Sequence, residues 1–286
     1  FPSEKKFSPY ILIFFYTTSF GILNMLATSD ISNVFTLILR SIPQTLLYII
    51  FARYIFNLFV KKKYLMKKII IPNTNFECSK LIFGTGSLLN IFNKKKRLEL
   101  LESAVDLGFT HFDTSPYYGF GLAEENLGEI LKKNKSLTIT TKVCLYPPSK
   151  LSHNFLEMVF RKSIGKIIPQ LSKPNIDFSI NFAKKSIDTS LKKMKIDNID
   201  ILLIHEPIIN LLNVDEWKSF FENLIKIGKI RHFGIASINS SRIKKFLDSE
   251  IKLHNIIQTL DSIDLQEANF ISTYNLPFQI TYGYIS

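Results

Sequence analysis

The sequence predicts an α/β protein built as a (β/α)8 TIM barrel, with about seven of the eight strands present and a hydrophobic helical segment ahead of it. Short apolar runs alternate with amphipathic segments from Met66 onward, which is the pattern of successive strand–helix units around a parallel sheet. Asp113, Lys142 and His205 stand at the ends of predicted strands, where barrels of this class hold their functional groups. A chain of 286 residues is long enough for a large core.

Seven strands are predicted, each a run of apolar or β-branched residues bounded by turn-forming residues. In chain order they are Lys80–Phe83, Thr110–Asp113, Thr138–Val143, Ile199–His205, Ile230–Ile235, Ile256–Gln258 and Gln279–Tyr282. We expect residues 66–286 to form one barrel domain that lacks the last strand and the final helices. Because an open barrel exposes unpaired strand edges, we also expect the chain to be a piece of a longer protein.

Five amphipathic segments separate these strands. The first carries apolar residues on one face over Leu98–Val105. The others are predicted at Glu124–Lys132, Phe178–Met194, Glu216–Ile227 and Ser240–Leu247. Gly228 suits the end of the fourth helix, and Ser240 or Ser241 can cap the start of the fifth. The connection from Tyr146 to Asn175 is unusually long, and it is either one wall of a substrate pocket or a packed surface excursion.

The first 65 residues hold most of the hydrophobic excess of the chain. Phe7–Ser29 contains no charged residue, and Ser41–Val60 is interrupted only by Arg53, so each is long enough to cross a bilayer as a helix. Lysines on both outer flanks predict a hairpin with both ends on the cytoplasmic side. A charge inside a span is unfavourable, and Arg53 therefore counts against the second helix.

Two interpretations of residues 1–65 stay open. In the first, these residues are a membrane anchor that acts through residues 7–60 and would hold a catalytic domain at the cytoplasmic face of the membrane. Alternatively, they belong to a different membrane protein joined in frame, since Met66 is a natural start for the barrel domain. A secretory signal peptide is disfavoured because no small-residue cleavage site ends the hydrophobic stretch. The first residue is Phe1, which predicts a fragment or a processed product.

Charge and cysteine content exclude several classes of function. The net charge is +12, yet the lysines are scattered through amphipathic segments rather than gathered in one arginine-rich stripe, which disfavours nucleic acid as a partner. Cys78 and Cys144 are the only cysteines and do not form a CxxC pair. We therefore expect reduced thiols, with neither a disulfide framework nor a metal site. The composition does not indicate an oligomeric state.

Four side chains together can carry out general acid catalysis. Neither a tyrosine nor a lysine is an efficient acid at pH 7 by itself. A neighbouring ammonium lowers the pKa of a phenol, and a carboxylate beside that ammonium holds it charged and in place. Tyr118 would then donate a proton to a substrate oxygen, with Lys142 as its electrostatic partner and Asp113 as the anchor of Lys142. His205 would hydrogen-bond the substrate carbonyl as a neutral imidazole.

The order and the flanks of these residues resemble the aldo-keto reductase family. The resemblance is carried by the block from Gly108 to Gly119 (GFTHFDTSPYYG), by Thr141-Lys142, by LIHEP at 203–207 and by GKIRHFGI at 228–235. It covers roughly Leu81 to Tyr282, and the first block is highly specific. The resemblance implies a reductase that interconverts a small-molecule carbonyl and an alcohol without metal or flavin. By this resemblance, the catalytic tetrad of the family corresponds to Asp113, Tyr118, Lys142 and His205 of this sequence.

The same resemblance implies a nicotinamide cofactor and suggests residues that hold it. Gly84, Thr85 and Gly86 match the glycine-rich end of the first strand, while Gln258 and Tyr282 match residues that hold the carboxamide and stack on the ring. The family's Ser-Asn pair reads Ala236-Ser237 here, so Ser237 alone would supply that contact. NADPH is the cofactor that the family prefers. NADH stays open, because the family's sites for the adenosine 2′-phosphate lie beyond Ser286.

Two other functions stay open at this point. The protein could be a cofactor-binding accessory or regulatory protein at a membrane, as some relatives of this fold are. A purely structural barrel, however, has no need for a buried lysine–aspartate pair, which favours the enzyme. The other alternative is an inactive fragment whose barrel does not close.

Overall fold

A computed structural model describes residues 11–13, 66–148, 173–249 and 253–283. Eight parallel strands form a closed barrel. In their order around the barrel, they are Ile11–Ile13 (β1), Leu81–Gly84 (β4), His111–Asp113 (β5), Thr138–Val143 (β6), Ile199–His205 (β9), Ile230–Ser237 (β10), Ile256–Leu260 (β11) and Ile280–Tyr282 (β12). The seven strands predicted from Lys80 onward are therefore confirmed.

The strand β1 takes the place between the first and last of those seven. Ile11 pairs with both Thr281 of β12 and Leu81 of β4, and both pairings are parallel. These three residues lie inside the predicted span Phe7–Ser29, so at Ile11–Ile13 the structure has a strand where the sequence analysis expected a helix. The rest of that span, and all of Ser41–Val60, lie outside the described residues. Within the described part of the chain, no helix is both long and apolar enough to cross a membrane.

In the described part of the chain, five α-helices lie between the barrel strands, near the predicted positions. They are Lys94–Asp106 (α1), Leu122–Lys133 (α2), Ile180–Met194 (α3), Val214–Lys226 (α4) and Ser240–Leu247 (α5). The cap of α5 is Asn239, whose side chain accepts a hydrogen bond from the backbone N–H of Ser241, and not Ser240 or Ser241 as expected. An Asn side chain one residue earlier satisfies the free N–H groups of the first turn equally well. Gly228 lies just beyond the end of α4 with a φ of 73°, which suits glycine.

Two short antiparallel hairpins were not predicted. One pairs Lys68–Ile70 (β2) with Glu77–Ser79 (β3), and the other pairs Leu145–Tyr146 (β7) with Asn175–Ile176 (β8). The second hairpin joins the two ends of the long connection that follows β6. Residues 149–172 of that connection lie outside the described residues, so the pocket-wall prediction stays a prediction.

Alternation along the strands divides the apolar core into two parts. Ile201 and Leu203 face the barrel interior with Ile82, whereas Leu202 and Ile204 face the surrounding helices. The β2–β3 hairpin contributes buried residues to the interior part, which are Ile71, Phe76 and Cys78. Both core regions hold the strands rigidly, so the side chains at the strand ends have a fixed scaffold.

Candidate active site

Three of the predicted catalytic residues form one hydrogen-bonded group. The Lys142 ammonium donates to Asp113 Oδ1 at 2.6 Å, to the backbone oxygen of Thr114 at 3.0 Å and to the Tyr118 phenol oxygen at 3.2 Å. Lysine Nζ has three protons, and these three acceptors match them in number. Since Lys142 donates to the phenol oxygen, Tyr118 keeps its own proton for donation to another group.

The positions of these residues follow from strand alternation and from one sharp turn. Asp113 is the last residue of β5, and Lys142 lies near the end of the neighbouring β6. Because parallel strands end at the same rim, both side chains reach the same end of the barrel interior. Tyr118 begins a short 3-10 turn after β5, in which Gly119 and Gly121 have φ values of 56° and 89°. Glycine adopts such values without a Cβ penalty, which lets the chain reverse directly into α2.

The lysine–aspartate pair is hidden, and the other two side chains are reachable. The side chains of Lys142 and Asp113 are each 1% exposed, so neither can touch a substrate directly. Burial raises the pKa of Asp113 and lowers the pKa of Lys142, and the opposite charge of the partner opposes both shifts. Tyr118 and His205 are only partly buried. The phenol and the imidazole are therefore the groups that a bound molecule would meet.

His205 is the last residue of β9, and its ring packs edge-on against Tyr118 with 6.0 Å between the ring centroids. Desolvation, and then the charge of Lys142, hold the pKa of His205 well below its ordinary value. The lowered pKa favours the neutral imidazole near pH 7. A neutral imidazole keeps a single N–H for donation.

The residues matched to cofactor contacts lie at the same rim but already have protein partners. Gln258 reaches across the barrel, and its amide nitrogen donates to Asp113 Oδ2 at 2.8 Å. Thr85 donates to the backbone oxygen of Asp113 at 2.9 Å from its hydroxyl, and its backbone N–H does the same. Gly84 pairs with Asp113 in the sheet, and Gly86 follows at the strand end. Tyr282 ends β12 and is 8% exposed.

Ser237 is held by a residue that the sequence analysis missed. Its hydroxyl donates to Glu206 Oε2 at 2.7 Å, and Glu206 Oε1 accepts the backbone N–H of Ile238 at 2.8 Å. Arg242 forms an ion pair with the same carboxylate at 3.2 Å. Glu206 also has a φ of 52°, which is unusual for a residue other than glycine. A charged residue between His205 and Pro207, directly after a buried strand, was the available sign of this role.

Neither cysteine is suited to chemistry here. Cys78 and Cys144 are both buried and free. Burial raises the pKa of Cys78 to about 12 and also raises that of Cys144, so both thiols stay protonated at neutral pH. Across the residues that the structure covers, no group of three or more His, Cys, Asp or Glu side chains could hold a metal ion.

Comparison with known proteins identifies the family. The sequence profile of the aldo/keto reductase family matches residues 80–267, which is more than half of the chain. The chain belongs to the aldo/keto reductase family. It is 26% identical over 183 residues to the aldo-keto reductase YhdN of Bacillus subtilis, covering 62% of this chain and 48% of that protein. To the L-galactose dehydrogenase of Arabidopsis thaliana it is 30% identical over 173 residues, covering 59% and 47%.

A solved structure extends the similarity to three dimensions. The aldo-keto reductase AKR11C1 from Bacillus halodurans, in its holo form, superposes with a TM-score of 0.58 and 25% sequence identity. That superposition covers 76% of this chain and 65% of the other. The chain spans about half the length of the two curated relatives above.

Proposed function

We propose that the protein is an NAD(P)H-dependent reductase that converts an aldehyde or a ketone into an alcohol. The observation that carries this proposal is the Tyr118 phenol 3.2 Å from Lys142 Nζ, with that ammonium itself 2.6 Å from Asp113 Oδ1. A phenol next to a buried, anchored cation is well placed to give up a proton as negative charge develops on a substrate oxygen.

Each residue has a distinct role in this reaction. Tyr118 donates its proton to the carbonyl oxygen, and the phenolate that remains is stabilised by Lys142 until solvent returns a proton. Asp113 keeps Lys142 charged and fixes its position, without contacting the substrate. His205 donates its single N–H to the carbonyl oxygen and orients the carbonyl group toward Tyr118.

The residues at the rim fit a nicotinamide by their chemistry. A carboxamide both donates and accepts hydrogen bonds, and the resemblance assigns its contacts to the Gln258 amide and the Ser237 hydroxyl. In this structure the two groups are buried and donate to Asp113 Oδ2 and Glu206 Oε2, so a bound carboxamide would share or replace those hydrogen bonds. The Tyr282 ring is suited to stacking on a flat heterocycle. Gly84, Thr85 and Gly86 would leave room for the cofactor at the first strand end. When bound, the reduced nicotinamide supplies the hydride that the carbonyl carbon accepts. NADPH rather than NADH is the cofactor we propose.

A panel of carbonyl compounds tests the proposal. The full chain would be mixed with NADPH or NADH and with aliphatic aldehydes, aromatic aldehydes and ketones. Aldoses, including L-galactose, would be tested with NADP+ and NAD+, because a matched relative is named for that sugar. We expect cofactor oxidation with one equivalent of alcohol formed. Tight cofactor binding with no turnover on any compound would replace the enzyme by a non-catalytic cofactor-binding protein.

A further inference from the structure

Ser115 lies beside His205, although sequence reasoning gave it no role. It is fully buried, in the turn between Asp113 and Tyr118. Its Oγ lies 3.4 Å from His205 Nδ1 and accepts the backbone N–H of Tyr117 at 3.2 Å. The hydroxyl therefore links the turn that carries Tyr118 to the imidazole at the end of β9.

The direction of the Ser115–His205 hydrogen bond follows from the supply of protons. Ser115 Oγ accepts the Tyr117 N–H, and because the residue is fully buried, its own hydroxyl proton also needs an acceptor within the protein. Among the described residues, His205 Nδ1 is the acceptor in contact with that hydroxyl. With Nδ1 accepting, a neutral His205 carries its proton on Nε2.

A second buried histidine has the opposite arrangement. His111 Nδ1 and Nε2 each lie 2.8 Å from a threonine hydroxyl, Thr138 and Thr140 respectively. Thr138 donates its proton to the backbone oxygen of Thr110 at 3.0 Å, so it can only accept from His111 Nδ1–H. The same reasoning therefore gives an Nδ1–H tautomer at His111 and an Nε2–H tautomer at His205.

We propose that Ser115 is a positioning residue that fixes His205 in the Nε2–H tautomer. This directs the only N–H of the ring away from Ser115, to where it can donate to a substrate oxygen. The tautomer is inferred from the contacts of the Ser115 hydroxyl and does not depend on any activity, whereas its use in carbonyl recognition rests on the proposed function. Without the Ser115 hydroxyl, His205 would divide between two tautomers, and one of them cannot donate from Nε2.

Nitrogen NMR of the full chain labelled with 15N-histidine tests the tautomers directly. The variants H205N and H111N assign the two rings among the five histidines of the sequence. We expect an unprotonated Nδ1 at His205 and a protonated Nδ1 at His111 in the wild-type protein at pH 7. A protonated Nδ1 at His205 would overturn the proposal without reference to any activity.

The variant S115A tests the role of the hydroxyl. We expect the His205 signals to shift toward a tautomer mixture, while the His111 signals stay unchanged and report an intact fold. The kcat should fall roughly fivefold, as for a lost neutral hydrogen bond, with the Kd for NADPH unchanged. S115T keeps a hydroxyl and should keep the wild-type tautomer, whereas S79A removes a buried hydroxyl far from the rim and should not affect His205.

The outcomes separate this inference from the proposed function. An unchanged His205 tautomer in S115A would reject the positioning role even if the protein reduces carbonyls. An Nε2–H tautomer that depends on Ser115, in a protein that turns over no carbonyl, would reject the proposed function and keep the structural role.

Discussion

The buried Lys142–Asp113 pair is the most costly feature of the site at the scale of single residues. Two charges at 2.6 Å, each 1% exposed, have lost their hydration and are compensated only by one another and by polar neighbours. Such a pair adds little net stability compared with two apolar residues, but an unpaired member is strongly destabilising. In the proposed reaction, the function of the pair is its effect on Tyr118, 3.2 Å from Lys142 Nζ.

A double-mutant cycle tests this view of the pair. D113N leaves the Lys142 ammonium buried without an anion, and we expect it to lower the free energy of unfolding by about 3–5 kcal/mol. The double variant D113N/K142M removes both charges and should be destabilised less than D113N alone. Urea unfolding followed by circular dichroism measures D113N, K142M and the double variant, which together complete the cycle. If the losses of unfolding free energy in the single variants add up to the loss in the double variant, the two charges do not stabilise each other.

The buried, neutral His111 should make the folded protein less stable at acidic pH. Burial lowers the pKa of His111 from 6.5 to about 3. Between these values an unfolded chain binds a proton that the folded protein does not bind, so stability falls as the pH decreases from about 6.5 toward 3. The slope is at most about 1.4 kcal/mol per pH unit for this one group.

The variant H111N isolates that contribution. We expect its free energy of unfolding to depend less on pH than that of the wild-type protein, with the difference confined to the window below about 6.5. Urea titrations at pH 7, 6, 5 and 4 would measure it. Other buried groups, including His205 and Asp113, are present in both proteins and cancel in the difference. Parallel pH profiles would show that folding does not lower the pKa of His111.

At the scale of elements, the pairing of β10 with β11 requires a glycine at position 234, because this residue has no side chain. Gly234 lies opposite Ile256, and a Cβ built on it would lie 1.9 Å from the Ile256 backbone oxygen. No rotamer change relieves a contact with backbone, so the strands would have to move apart. Ser237 and Gln258 lie further along the same two strands and would move with them.

We expect G234A to destabilise the protein by about 3 kcal/mol or more, through overpacking against a fixed backbone. The matched variant is G228A, where a Cβ meets nothing within 4 Å and only the φ of 73° is unfavourable. That variant should cost about 1 kcal/mol. Thermal and urea unfolding of the two variants side by side measure the difference. Equal losses of unfolding free energy in G234A and G228A would show that the close approach of β10 and β11 does not determine the cost of a side chain at position 234.

Elements with strong local patterns could be predicted from sequence, and those formed by distant pairing could not. The strands β6 and β9 have the predicted bounds because β6 is a run of β-branched residues that ends at Lys142-Val143, and β9 is a mostly apolar run that ends at His205. The two hairpins contain only two or three residues per strand, too few for a periodic pattern. Their partners are also brought together by the closed barrel rather than by local sequence.

The site was predictable to the extent that its residues stand at strand ends. Asp113, Lys142 and His205 were placed by strand position, and Tyr118 by its motif. Ser115 and Glu206 were missed because their importance lies in contacts with residues 90 and 31 positions away, at His205 and Ser237. One sequence gives no sign of such partners. Most of the first 65 residues lie outside the described part, so their predicted membrane role stays a prediction.

At the scale of the whole molecule, closure of the barrel depends on β1. Seven strands leave two edges with unpaired backbone groups, and Ile11–Ile13 pairs with both of them. The eighth strand of this barrel thus comes from the beginning of the chain. Barrel closure also determines where Gln258 in β11 lies relative to Asp113 in β5, whose side chains bond across the interior at 2.8 Å.

Hydrogen–deuterium exchange tests this closure. We expect slow exchange of the backbone amides of residues 11–13, comparable with that of Leu81–Gly84 beside them, because amides in a closed ladder open only with larger unfolding. The variant L12P removes one donor and should increase exchange in both flanking strands, while L12V should not. Fast exchange at 11–13 in the wild-type protein, with slow exchange at β4, would show that the barrel does not close through β1.

A single-turnover measurement of NADPH oxidation in Y118F, using a carbonyl compound that the wild-type protein reduces, tests whether Tyr118 supplies the proton. Removal of the proton donor should slow the reaction by about 10²–10⁴-fold, with the Kd for NADPH unchanged. Y274F removes the same hydroxyl from a partly buried tyrosine whose OH donates to Asp248, and it should retain the wild-type rate. If Y118F matches Y274F, Tyr118 does not supply the proton.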